Sequence, residues 1–120
     1  MKRILVIEDT EDNRQIVGDL LSSAGYEMIE AVDGLAGVAA AEREQPDLIL
    51  MDIQLPGIDG YEATRRIRAI PALAKVPIIA VTSYALSGDE AKTREAGCDG
   101  YVAKPYSPRQ LLAKIREFLP

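Results

Sequence analysis

An α/β fold, a five-stranded parallel sheet covered by helices on both faces, is what this 120-residue sequence predicts, and three features carry the prediction. Short continuous apolar runs rich in Ile, Val and Leu recur along the chain, as strands buried on both faces require. Stretches with helical spacing separate them in strict alternation, which implies right-handed crossovers. Polar residues suited to chemistry follow several of the runs, at the edge where open parallel sheets bind their ligands.

The first strand is read at residues 4–7, and Glu8 and Asp9 follow it. In the first helix, Ile16, Val17, Leu20, Leu21 and Ala24 share one face, and Gly25 marks the stop. A second buried strand is expected over 28–32, then an Asp33-Gly34 turn and a helix over 35–44. The third strand, 48–51, leads into Asp52; the third helix, 61–70, ends before Pro71. The fourth strand is placed at 78–81, before Thr82 and Ser83, and the fourth helix at 89–96, with Gly97 behind it. A weaker fifth strand, 100–103, precedes Lys104-Pro105, where a cis peptide would aim the lysine inward. The last helix, 108–118, has Ser107 as cap and Pro108 in its first turn.

This length fits one domain, taken as 1–120, and 48% apolar residues suffice for one core. A formal net charge of -5 offers no field to attract a nucleic-acid backbone or an anionic membrane. Residues 4–7 are too short an apolar run for a signal peptide or a membrane span, so a cytoplasmic location is expected. Cys98 is the sole cysteine, which excludes an internal disulfide. Histidine is absent, which excludes a Ser-His triad and a histidine zinc site; any phosphohistidine donor is another molecule.

Taken singly, the strand-end residues have plain readings: Glu8 and Asp9 as helix caps, Thr82 as a backbone-bonded hydroxyl, Lys104 as a surface lysine. As a set they specify a site. Three carboxylates from Glu8, Asp9 and Asp52 repel one another unless a cation is present. All-oxygen ligands suit a hard ion, Mg²⁺ or alternatively Mn²⁺, whose remaining positions accept phosphate oxygens. Asp52 is then a phosphoryl acceptor. Adding a phosphoryl group makes the site more negative, and Thr82, Ser83 and Lys104 are the donors that can answer it.

These residues resemble the receiver domains of two-component response regulators. The resemblance rests on Glu8-Asp9, on Met-Asp-Ile-Gln-Leu-Pro-Gly-Ile-Asp-Gly at 51–60, on Val81-Thr82-Ser83, on Ala-Gly-Cys-Asp-Gly-Tyr at 96–101 and on Lys104-Pro105. It implies a flavodoxin-like (βα)5 fold with strand order 2-1-3-4-5. It further implies that Asp52 takes a phosphoryl group from a phosphohistidine on a sensor kinase or phosphotransfer protein, and that Glu8, Asp9, Asp52 and the Gln54 carbonyl hold Mg²⁺. Thr82 and Lys104 would contact the phosphate, and Tyr101 would act with Thr82 as the switch aromatic, although a plain core tyrosine reads the same way. Gln54 and Tyr84 would tune the lifetime of the modification. A surface formed by the fourth helix, fifth strand and fifth helix would dock a downstream target, with phosphorylation-dependent homodimerisation as a further option.

Arg14 and Gly18, off the apolar stripe of the first helix, are candidate docking residues, with Leu86 and Tyr106. Met1, and the lack of any segment after Pro120, fit a stand-alone regulator; a receiver excised from a hybrid kinase or a longer regulator is the alternative. A flavin- or nucleotide-binding domain of the same fold would need a Gly-rich or GK[ST] phosphate loop, which the sequence lacks. A module that keeps the fold without the chemistry would have no use for the complete set of strand-end residues.

Overall fold

The structure is a computed structural model that describes residues 1–83 and 89–120. Its elements run β1 (Arg3–Ile7), α1 (Glu11–Ser23), β2 (Glu27–Ala31), α2 (Gly34–Glu44), β3 (Leu48–Asp52) and α3 (Gly60–Arg68). They continue through a 3₁₀ turn (Pro71–Leu73) to β4 (Ile78–Thr82), α4 (Asp89–Ala96), β5 (Gly100–Ala103) and α5 (Pro108–Phe118). All strands are parallel, in the expected order β2-β1-β3-β4-β5.

Because side chains alternate along a strand, continuous apolar strands feed two cores. Leu5, Ile7, Ile49 and Met51 point to one face, where they meet Ala40, Ala63 and Ile67 of α2 and α3. Ile4, Val6, Leu48 and Leu50 point to the other, against Val17 and Leu21 of α1 and Leu111 and Ile115 of α5. Registers Ile7↔Met51, Asp52↔Val81 and Thr82↔Ala103 align the carboxyl ends of four strands along one edge.

Local chemistry fixes several helix starts. Asp33 accepts from the Ala36 amide at 2.8 Å, and Asp59 from the Glu62 amide at 2.9 Å. At α5 the expected Ser107 cap is a full capping box with Gln110. The third helix is shorter than expected: Pro71 disfavours helical geometry at Ile70, which is extended, and the chain enters the 3₁₀ turn instead.

Two apolar residues depart from expectation. Val32 lies past the end of β2 and is 51% exposed; among the described residues β2 is an edge strand paired with β1 alone, so its apolar run is not enclosed as the central strands are. Ile16 is 62% exposed, because α1 seats Val17 and Leu21 on the sheet and leaves Ile16 at the margin of the stripe.

At the opposite edge of the sheet, Arg68 explains part of the 96–101 motif. Its guanidinium donates to the Gly97 carbonyl (2.9 Å), the Leu73 carbonyl (2.9 Å) and Asp99 Oδ2 (2.7 Å), and Asp99 also accepts from the Ile78 amide at 3.0 Å. Gly97 takes φ 116°, a conformation open to glycine. One arginine thus joins α3, the 3₁₀ turn and the α4–β5 turn.

Beside it Cys98 is buried, 3.7 Å from Thr64 Oγ1, and burial pushes its thiol up to about 11 from 9.0. As pH rises from 9.0 towards 11 the unfolded chain therefore gives up this proton before the folded chain does. Any stability carried by the neutral thiol is whole below pH 9.0 and is lost above it. Urea unfolding at pH 8 and pH 11 is expected to show wild type losing about 2 kcal/mol more than Cys98→Ala.

Candidate functional site

The carboxyl ends of β1 and β3 bring Glu8, Asp9 and Asp52 together, with one carboxylate oxygen from each lying within 4.8 Å of the others. Glu8 and Asp52 are 6% and 5% exposed, whereas Asp9 faces solvent. Such nearly buried carboxylates need donors. Glu8 Oε2 accepts from the Thr10 amide at 3.1 Å; Glu8 Oε1 accepts from Asn13 Nδ2 at 3.2 Å and from Lys104 Nζ at 3.3 Å. Asp52 Oδ1 accepts from the Gln54 amide at 2.9 Å, and Oδ2 faces Lys104 Nζ at 3.5 Å.

Lys104 reaches this position from the turn after β5, where its amide donates to the Thr82 carbonyl at 2.7 Å and its peptide bond to Pro105 is cis. Burial disfavours its ammonium, but the attraction of Asp52 and Glu8 outweighs that cost, and its pKa rises above the ordinary lysine value. Asp9 also titrates above the ordinary carboxylate range. The hydrogen bond it shares with Glu8 is the chief cause, and burial and the Glu8 charge add to it. Lys104 offsets only one of the three carboxylate charges. The set fits one hard divalent ion, which would balance the other two.

Thr82, fully buried at the end of β4, stands beside β5. Tyr101 lies half-buried on β5, paired in register with Ala80. Gln54 links the loops after β3 and β4: its side-chain oxygen accepts from the Ser83 amide at 3.2 Å. Tyr84 and Leu86 lie outside the described residues.

Of the docking candidates, Tyr106 packs partly into the α5-side core, where burial raises its phenol above the ordinary value. Gly18 faces the sheet: a Cβ there would meet Met28 Cε of β2 at 2.8 Å. Arg14 is turned inward, 13% exposed, donating to the Glu8 carbonyl at 2.8 Å and to Glu30 Oε1 at 3.3 Å. Sequence reasoning missed Asn13 as a partner of Glu8. Its signal is its place, the first turn of the helix that follows the acid pair.

Residues 4–116 match the family model described as the response regulator receiver domain. The polar-differentiation response regulator DivK of Brucella anthropi is 40% identical over 118 residues, 98% of this chain and 96% of that protein. DivK of Brucella melitensis is equally similar. Among solved structures, the receiver domain of a Pseudomonas aeruginosa sensor histidine kinase is 41% identical, with a TM-score of 0.91, covering 98% of this chain and 97% of that one. That structure holds a magnesium ion coordinated in its active-site cleft. The chemotaxis protein CheY4 of Vibrio cholerae superposes with a TM-score of 0.94 at 28% identity, over 98% of both chains. Among the described residues no helix is long and apolar enough to cross a membrane.

Proposed function

This chain belongs to the response regulator receiver domain family, whose general function is that of a phosphoacceptor switch in two-component signalling, and on that premise we propose that Asp52 is the acceptor. The observation that carries this reading is the Asp52 carboxylate itself, nearly buried at the mouth of the central strand, beside Glu8 and Asp9 and facing Lys104.

In this mechanism an Asp52 oxygen attacks phosphorus of a partner phosphohistidine in line with the imidazole. The new O–P bond forms as the P–N bond breaks, and the leaving nitrogen is neutralised by a proton. Glu8, Asp9, Asp52 and the Gln54 main-chain carbonyl would hold Mg²⁺, or Mn²⁺ in its place, and the bound ion would supply charge shielding between the carboxylates and the incoming phosphoryl oxygens. Lys104 leaves its ion pair with Glu8 and Asp52 to meet the phosphoryl oxygens, and the Thr82 hydroxyl donates from the other side. Movement of Thr82 carries Tyr101 with it and remodels the surface of α4, β5 and α5 for a downstream target or a second copy. Water later hydrolyses the acyl phosphate, at a rate tuned from Gln54 and Tyr84. Tyr106 and Leu86 remain docking candidates for the sensor kinase or phosphotransfer protein, whereas Gly18 packs toward Met28 and Arg14 is engaged by Glu8 and Glu30.

A stand-alone regulator and a receiver within a sensor kinase would share this chemistry, and the similarity to DivK and to the Pseudomonas kinase receiver, 40% and 41%, supports both settings. Incubation with phosphoramidate and Mg²⁺ should add one phosphate, read by intact mass, and none in EDTA. Uptake that ignores Mg²⁺ would refute the assigned ligand set.

A further inference from the structure

Two consecutive residues of α1 hold Glu8 by different parts. Asn13 Nδ2 donates to side-chain Oε1 at 3.2 Å, while Arg14 Nη1 donates to the main-chain carbonyl at 2.8 Å. Arg14 also reaches Glu30 of β2 at 3.3 Å, so its guanidinium ties the end of β1 to the edge strand. Only 13% of the Arg14 side chain is exposed, and a guanidinium so covered is held by the partners it has.

We propose that Asn13 and Arg14 are positioning residues for the divalent-cation site, Asn13 fixing the Glu8 carboxylate and Arg14 fixing the peptide that joins Glu8 to Asp9. The proposal rests on the reading that Glu8, Asp9 and Asp52 hold the cation. A glutamate has one more rotatable bond than an aspartate, so its carboxylate gives up more freedom when it must hold one place beside an ion. The Thr10 amide and the Asn13 amide limit that freedom in advance, one on each oxygen. Asn13 suits the task because it is neutral. It engages a lone pair of Oε1 without bringing a positive charge against the ion, as Lys104 does. Arg14 acts on the main chain, since a carbonyl fixed at Glu8 also sets the direction in which the Asp9 side chain leaves the strand.

Partners that orient metal ligands in this way typically contribute about ten-fold or more to metal affinity. The test is an Mg²⁺ titration of the full chain, followed by amide NMR shifts, on wild type, Asn13→Ala and Arg14→Met, with melting temperatures in EDTA alongside. The expected result is a Kd raised about ten-fold in each variant, with the melting temperature of Asn13→Ala in EDTA close to wild type. A Kd unchanged in both variants overturns the proposal, and so does a lowered melting temperature with an unchanged Kd, which would make the contacts structural only. Absence of Mg²⁺ binding by wild type would instead refute the cation site itself, and the positioning role with it.

Discussion

Asp52→Asn is expected to fold and to take up no phosphate from phosphoramidate in Mg²⁺, where wild type gains one. The substitution preserves shape. Its amide oxygen can still accept from the Gln54 amide, now 2.9 Å from Asp52 Oδ1. What is lost is the nucleophile: an amide nitrogen cannot take the place of a carboxylate oxygen in forming an acyl phosphate. The structural cost is small, because the change removes the ion pair with Lys104 and also one of three mutually repelling carboxylates. Intact mass after incubation and a melting curve in EDTA check both halves, and a phosphorylated Asp52→Asn would place the acceptor elsewhere.

Gly60→Ala should have the largest effect on stability of any single methyl added near the site. A Cβ at Gly60 would stand 2.6 Å from Ile53 Cα, and it would also press on the Asp52 carbonyl oxygen. Both obstacles are backbone, and the Gly60 amide is bonded to the Ile53 carbonyl at 2.9 Å, so the start of α3 cannot simply swing away. Overpacking of this kind costs about 2 kcal/mol, or roughly 8 °C in melting temperature for a chain of this size. The displaced residues carry Asp52, so the rate of phosphorylation should fall as well. Gly18→Ala is the control. Its obstacle is the flexible tip of Met28, and alanine gains about 1 kcal/mol of helix propensity, so stability should stay near wild type. Thermal melts of the two variants decide it; equal destabilisation would contradict the account.

Most of the fold was legible because the strands are buried on both faces, and a strand so placed announces itself as an unbroken apolar run. β3 and β4 lie between two neighbours each and were placed to within a residue of their ends. At the edge the signal weakens: Val32 is apolar enough to extend β2 on paper, yet the strand stops at Ala31. Ile16 shows the same limit on a helix, where being apolar does not decide which side of the stripe meets the sheet.

The acidic residues of the candidate site were legible for a different reason: parallel topology alone sends Glu8, Asp9 and Asp52 to one edge. Partners chosen by tertiary packing were not. Asn13 and Arg14 meet Glu8 only once α1 folds back on β1, and Arg14 therefore read as a surface residue. Arg68 and Asp99, 31 positions apart, find each other only across the finished sheet. Glycine was ambiguous in sequence, since Gly18 reads as a docking residue off the apolar stripe and in the fold faces Met28.

Reduction of the phosphorylated protein with borohydride tests the central claim most directly, because it converts an aspartyl phosphate to homoserine and leaves free carboxylates alone. Peptide mass analysis should find homoserine at position 52 and nowhere else. Homoserine at another aspartate, or a phosphate that survives reduction on a hydroxyl side chain, would contradict the assignment of Asp52 as acceptor.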